Sequence, residues 1–546
     1  MLLKLVNLFG YLSVLLRAGT LVFQSLLLGG IVFVLWIARG APGNPESIEK
    51  MQSGSWTLLR FSTIGLIVMQ VLYLYVNSAV LMTTAEIGFR AVIGANFFLS
   101  GSIVLAAAVA AHLVARQHWK VAHWLLPVLA MTVLGASVMT NHAASRLDGR
   151  PLLIILTTIH EAAAAFWIGG LPFLVLALFR DNEEDAWWHI TERFSRVALV
   201  SVGAIVFSGL GLSIRYIASW RAVLGTAYGV MVTAKVLMLA ALMLLGGINF
   251  WLLRSTSKDR VMPRLRRLIE AEVGIGITVI LTAASLTSQP PAVDQPNDTV
   301  TFHQIMQRMK PTLPRLTYPQ VADASLSASG REATVSDVPN KIPTAYNADG
   351  EPLSPQRIAW AMESESNHHW MGLVVLAMGL LALLARTGKA GWAEYWPLLL
   401  VGIAIFIFVQ ADTECWPVGT KGFWACWANP EAFQHRLAAL VCVAFAVFEL
   451  KVRKRKWEND RMALIFPLMV ATGGVVLLTH THAITNVKEN LLVELTHVSL
   501  GLLAVLSGWA RWLEIRLPPE DRAIPAWIWP VCFALIGVGL LNYREL

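Results

Sequence analysis

The chain has 546 residues, 56% of them hydrophobic and only 14% charged, a composition too apolar for a soluble globular protein or a disordered chain. Its formal net charge of +8 is divided among short basic clusters between apolar runs. That pattern argues against nucleic-acid binding and fits a membrane protein with basic loops on one side.

Fourteen apolar runs predict an all-α polytopic membrane protein of about 14 transmembrane helices, because a span in lipid must satisfy its own backbone hydrogen bonds. In chain order the expected spans are 19–38, 61–82, 91–115, 121–140, 152–179, 194–215, 228–253 and 268–288. The remaining six are 369–386, 395–412, 433–450, 462–480, 489–509 and 524–541. Residues 1–17 read as an interfacial helix or the start of the first span, without a convincing signal cleavage site. The basic loops "RSTSKDRVMPRLRR" (254–267) and "KVRKRKWENDR" (451–461) belong in the cytoplasm by the positive-inside rule. Threading the other spans between them places the short loops near 83–90, 141–151, 216–227 and 481–488 outside. A polar stretch at 289–368, also outside, divides an eight-span front (1–288) from a six-span back (369–546); it is either a small domain or an extended linker.

Polar, ionisable side chains are expensive in lipid, and within spans they mark function. In the front half, His142 ends one span near the outer surface, and His160 lies about eight residues into the next. Trp167 follows two turns later on the same helix face, as a neighbour that could orient His160. In the back half "THTHAITNVKENLLVELTH" (479–497) repeats the arrangement more densely, with His480, His482 and His497. At 1.5 Å per residue, His160 and His497 both lie roughly 12 Å below the outer surface. The correspondence suggests a parallel three-helix repeat, 91–140 matching 433–480. His435, His480, His482 and His497 form a candidate metal set in the outer half of three consecutive helices. Glu494, one turn before His497, is a ligand or an orienting partner. Imidazole suits copper, zinc, iron and nickel. The competing reading is a set of interfacial histidines satisfied by water and backbone.

Lys235 is a lone cation in an outer half-span that could simply snorkel. His303, Met306 and Met309 fall at i, i+3 and i+6 of "HQIMQRM". They offer an outer-face copper-capture set of imidazole and thioether, or an ordinary amphipathic turn. Cys415 and Cys426 share one outer loop, where an oxidising compartment permits a disulfide and thiolate ligation is the alternative. Cys442 and Cys532 lie within spans and read as packing residues.

The front half resembles the CopD family of bacterial copper-resistance inner-membrane proteins. The shared features are His160 with Trp167-Ile-Gly-Gly170, Arg-Phe-Ser-Arg at 193–196, Leu-Gly-Thr-x-Tyr-Gly (224–229) followed by Lys235, and a Glu-started last helix ending Thr-Ser-x-Pro-Pro (287–291). The resemblance implies copper handling across the cytoplasmic membrane with a periplasmic copper-binding partner of the CopC kind. It bears directly on His160; the back half goes beyond the family unit. With no nucleotide-binding loop and no phosphorylation domain, the chain reads as a carrier rather than an enzyme. The runner-up is a haem-binding redox protein using facing histidines as axial ligands; a third reading is a copper-delivery scaffold.

Overall fold

The computed structural model describes residues 2–117, 121–180, 184–254, 258–287, 289–296, 299–317, 354–412, 414–428, 430–454, 460–479 and 487–545. The described residues are helical and contain no strand, and twelve helices are long and apolar enough to cross a membrane. The two other expected spans fall on the 17-residue apolar helix Ala122–Val138 and on the helix Pro430–Arg453.

The chain forms two compact units. The first holds Met1–Leu224 and Tyr228–Asn297; the second holds Asp298–Leu477 and Ile484–Leu546. The described residues 299–317 therefore group with the back half. The helix expected to begin at 369 starts at Pro355, capped by the Ser354 hydroxyl.

The long helices of the first unit are α1 (Leu2–Val32), α2 (Pro45–Thr84), α3 (Asn96–Gln117), α4 (Ala122–Val138), α5 (Arg150–Trp167), α6 (Leu171–Arg180), α7 (Glu184–Tyr216), α8 (Ala227–Leu252) and α9 (Lys258–Leu286). Helix α1 is the hub, packed against α2, α4, α5 and α9. It is one continuous helix from Leu2, of which the stretch from Leu12 is long and apolar enough to cross a membrane. Helix α2 starts 16 residues before its apolar run. Pro45 fits the first turn, and the Asn44 side chain accepts from the Glu46 N–H at 3.0 Å.

In the second unit the long helices are α10 (Pro355–Arg386), α11 (Leu399–Gln410), α12 (Pro430–Arg453), α13 (Ile465–Thr479), α14 (Val487–Arg516) and α15 (Ala523–Leu541). Its core gathers Met378, Trp396, Ile403, Phe466, Leu500 and Trp529. Helices α10 and α15 approach closely at glycines: a Cβ on Gly379 would lie 2.4 Å from the Ala534 nitrogen. Lipid gives two apolar helices little reason to associate, so such small-residue contacts carry the packing.

At the end bearing the basic loops, five charged side chains bind this unit together. Arg511 reaches Glu449 at 2.9 Å and Glu514 at 2.6 Å; Arg386 reaches Glu514 at 2.7 Å and Arg453 reaches Glu449 at 3.0 Å. The Trp529 indole donates to Glu514 at 2.6 Å. One clasp thus joins α10, α12, α14 and α15. Charges removed from water persist only when paired in this way.

Candidate functional site: a polar cavity in the front unit

The helix expected over 152–179 is broken. Helix α5 ends at Trp167 and α6 begins at Leu171, with the turn Ile168–Gly170 between them. The glycines allow contact with the hub helix: a Cβ on Gly169 would lie 1.9 Å from the Ser25 carbonyl, and one on Gly29 would lie 2.4 Å from the Ala165 carbonyl. No other residue fits there without moving backbone. The contact brings the Gln24 face of α1 against the His160–Glu161 face of α5.

Above the break, on the side away from Arg264–Arg267, lies a cavity of about 180 Å³. Its polar lining comes from Arg17 and Gln24 on α1, Asn141 and His142 in the α4–α5 connection, His160 and Glu161 on α5, and Lys235 on α8. Glu161 is the centre. It accepts from Asn141 Nδ2 at 2.5 Å and from Gln24 Nε2 at 3.4 Å, and it lies within electrostatic reach of Arg17 and Lys235. Arg17 also donates to Asn141 Oδ1, so Asn141 bridges the guanidinium and the carboxylate. His160 pairs its Nδ1 with the Ser208 hydroxyl at 3.1 Å, and Ser208 donates to the Ala204 carbonyl at 2.5 Å. That anchor fixes the imidazole and leaves Nε2 as its second functional atom.

His142 approaches the same cavity from the connection. It hydrogen-bonds the Thr287 backbone, while its Nε2 is buried with no partner among the described residues. Burial pushes His142 below the usual imidazole range; the Thr287 hydrogen bond and the Asp294 charge pull the other way but do not prevail. At neutral pH it is therefore an uncharged imidazole, the form that ligates metals. Gln24 Oε1 is likewise buried and without a partner among the described residues. Arg146, paired with Asp294, lies over the ring of Tyr216, which lines the cavity.

The structure thus brings His142 and His160 to one cavity with Lys235. Four members of that cluster were not singled out from the sequence: Glu161, Arg17, Gln24 and Asn141. A carboxylate next to His160 in an apolar run was the available signal for Glu161. Trp167 does not meet His160. Seven residues return it to the same face about 10 Å further along the axis, and it lines a second cavity below the break.

In the back unit, His480 and His482 lie outside the described residues. His435 Nδ1 pairs with Asp412 at 3.0 Å. The neighbouring loop is closed by a disulfide between Cys415 and Cys426. His497 stands ten residues after Val487, the start of its helix, as His160 stands ten after Arg150. Its Nδ1 meets the Val493 carbonyl at 2.8 Å, and its ring faces His368, which stacks on Tyr543 at 3.9 Å. Glu494 is buried one turn earlier. His303, Met306 and Met309 are exposed around a short helix, Phe302–Arg308, closed by a Thr301–Gln304 capping box. Among the described residues no three His, Cys, Asp or Glu side chains lie close enough to hold one metal ion.

Residues 188–286 match the family described as Copper resistance protein D. The front unit carries a CopD-family region. The CopD match takes in all of α8 and α9 and almost all of α7, and with them Ser208, Lys235, Asn249 and Glu272. The chain is also 34% identical over 172 residues to a protein of Bacillus subtilis (strain 168) named Copper transport protein CutJ; the match covers 31% of this chain and 31% of that relative. No solved structure matches.

Proposed function

We propose that the protein carries copper ions across the bacterial cytoplasmic membrane, with the cavity around Glu161 as its binding station on the outer side. The observation that carries this reading is the convergence of two imidazoles, a carboxylate and a tethered ammonium on one cavity in the CopD-type unit. The name of the Bacillus subtilis relative, a copper transport protein, supports the cargo. The role is ligand exchange, without covalent chemistry.

The donors suit the task. The imidazoles of His142 and His160 and the Glu161 carboxylate are borderline and hard ligands that copper exchanges readily, and because no three of them stand close enough to hold one ion together they would bind it in turn along the cavity. In the structure Glu161 is hydrogen-bonded by Asn141 and Gln24 and feels the charges of Arg17 and Lys235. An arriving cation competes with Lys235 for the same carboxylate, and departure of the ion lets the ammonium return. Lys235 on this reading promotes release. A periplasmic copper-binding partner of the CopC kind would load the cavity past Arg146 and Tyr216. The exposed His303, Met306 and Met309 and the histidines of the back unit, His435, His480, His482 and His497, are further contact points for the same ion.

Radioactive copper uptake by proteoliposomes containing the full chain tests this. The wild type should accumulate copper, and His160→Ala with Glu161→Gln should lose most of that uptake while remaining folded. Uptake in the double variant equal to wild type would overturn the site. A colourless protein that takes up copper fits the proposal; a purified protein with a Soret band and no copper uptake fits a haem redox protein instead.

A further inference from the structure

The second cavity of the front unit lies below the Ile168–Gly170 break, among α5–α6, α7, α8 and α9, and measures about 220 Å³. Its lining is apolar except at a few points, chiefly Glu272 of α9 and Asn249 of α8. Glu272 is 3% exposed and Asn249 is 7% exposed. The Asn249 Nδ2 donates to Glu272 Oε1 at 2.8 Å. Its other end, Oδ1, is buried with no hydrogen-bond partner among the described residues. An orphaned amide oxygen beside a buried carboxylate is costly unless something cationic is accommodated there. Gly246 borders the pair: a Cβ at that position would make ordinary contact with Glu272 Oε1 at 3.4 Å and Trp167 at 4.0 Å.

Position along the helices gives this pair a meaning. Fourteen residues of α8 separate Lys235 from Asn249, roughly 21 Å at 1.5 Å per residue. Glu272 stands five residues after Arg267, near the end that carries the basic loops. The inner cavity also adjoins a third, charged one of about 330 Å³, which shares Ser195, Leu199, Phe250 and Leu253 with it and adds Glu192, Arg196 and Arg254. The polar pair thus has a charged vestibule beside it and the Trp167–Ile168 layer above it.

We infer that Glu272 and Asn249 form a second copper station in the inner half of the membrane, built from oxygen donors, which receives the ion from the outer cavity and passes it to the charged vestibule. The inference rests on the copper-carrier reading given above. Its donors are a carboxylate, an amide carbonyl and water, so the ion held here is distinguished from the outer one by having no imidazole ligand.

Cupric ion alone, titrated into the purified full-length protein, tests this by stoichiometry and paramagnetic resonance. Glu272→Gln keeps the volume and the amide contact while removing the charge. It should lose one bound equivalent, and the lost signal should carry no imidazole-nitrogen coupling. Asn249→Ala should weaken the same component about tenfold, and it carries the test if Glu272→Gln is not recovered folded. Full stoichiometry and unchanged spectra in both variants would overturn the inner station while leaving the outer one standing. A wild type that binds no copper would overturn both. A lost component that shows imidazole coupling would also overturn it, because that ion would belong to the histidines.

Discussion

Glu161 is the side chain on which the outer cavity turns, and its partners set what it can bind. Two cations, Arg17 and Lys235, act on one carboxylate. Arg17 is fastened through Asn141, whereas Lys235 of α8 lines the same cavity without a hydrogen bond to Glu161 and is the competitor on the proposed reading. Lys235→Met should therefore tighten equilibrium copper binding by roughly tenfold, about 1.4 kcal/mol, while slowing uptake because release loses its competitor. Equilibrium dialysis on the purified variant checks the first effect and proteoliposome flux the second; weaker binding would refute the competition. How much of this was legible in the sequence differs by residue. His142 and His160 announced themselves as polar groups in apolar text. Glu161 carried the same signal but was overshadowed by the histidine beside it. Arg17 and Asn141 read as flanking residues, because only tertiary packing brings a position near the chain start to one 124 residues on.

At the scale of elements, helix existence followed from hydropathy and helix length did not. Among the described residues every expected span is essentially helical, one of them as two helices either side of the Ile168–Gly170 turn, since lipid leaves an apolar run little alternative. Yet α2 and α10 extend well beyond their apolar cores, because capping by Asn44 and Ser354 starts a helix wherever the backbone amides are satisfied. The break at Ile168–Gly170 was hidden in continuous apolar text; the paired glycines gave its place but not its contact with Gly29. The clasp of the back unit was equally invisible, its five charges being scattered from Arg386 to Glu514. Arg511→Ala should destabilise that unit by about 3–5 kcal/mol, because it leaves Glu449 and Glu514 buried and underpaired. Lys50→Ala breaks only an exposed pair one helical turn apart and should change stability by less than about 0.5 kcal/mol. Thermal unfolding of the two variants in detergent compares them; equal shifts would deny the clasp its role.

For the whole molecule, two units and one direction of insertion organise the argument. The basic clusters predict that residues near 255 and 455 face the cytoplasm, and that the loop carrying Leu147, which is 96% exposed, faces the other side. Alkaline phosphatase fused after Leu147 should be active and the same enzyme fused within 455–459 inactive; the reverse would invert the route from outer to inner cavity. The division near residue 297 followed the loss of apolar text after α9, whereas the membership of 299–317 in the back unit had no signature in composition. The Lys235 charge beside the Glu161 cavity has a last consequence, for the cell rather than for the cargo. A bare carboxylate inside a membrane protein invites sodium ions and protons, each driven inward by about 2.3 kcal/mol per 100 mV of membrane potential. An ammonium tethered to the same protein supplies a counter-charge there and cannot be carried away down the gradient. On the copper-carrier reading proposed above, an idle copy would therefore not leak, and a cell could keep many copies in its membrane when copper is scarce without dissipating its energy store.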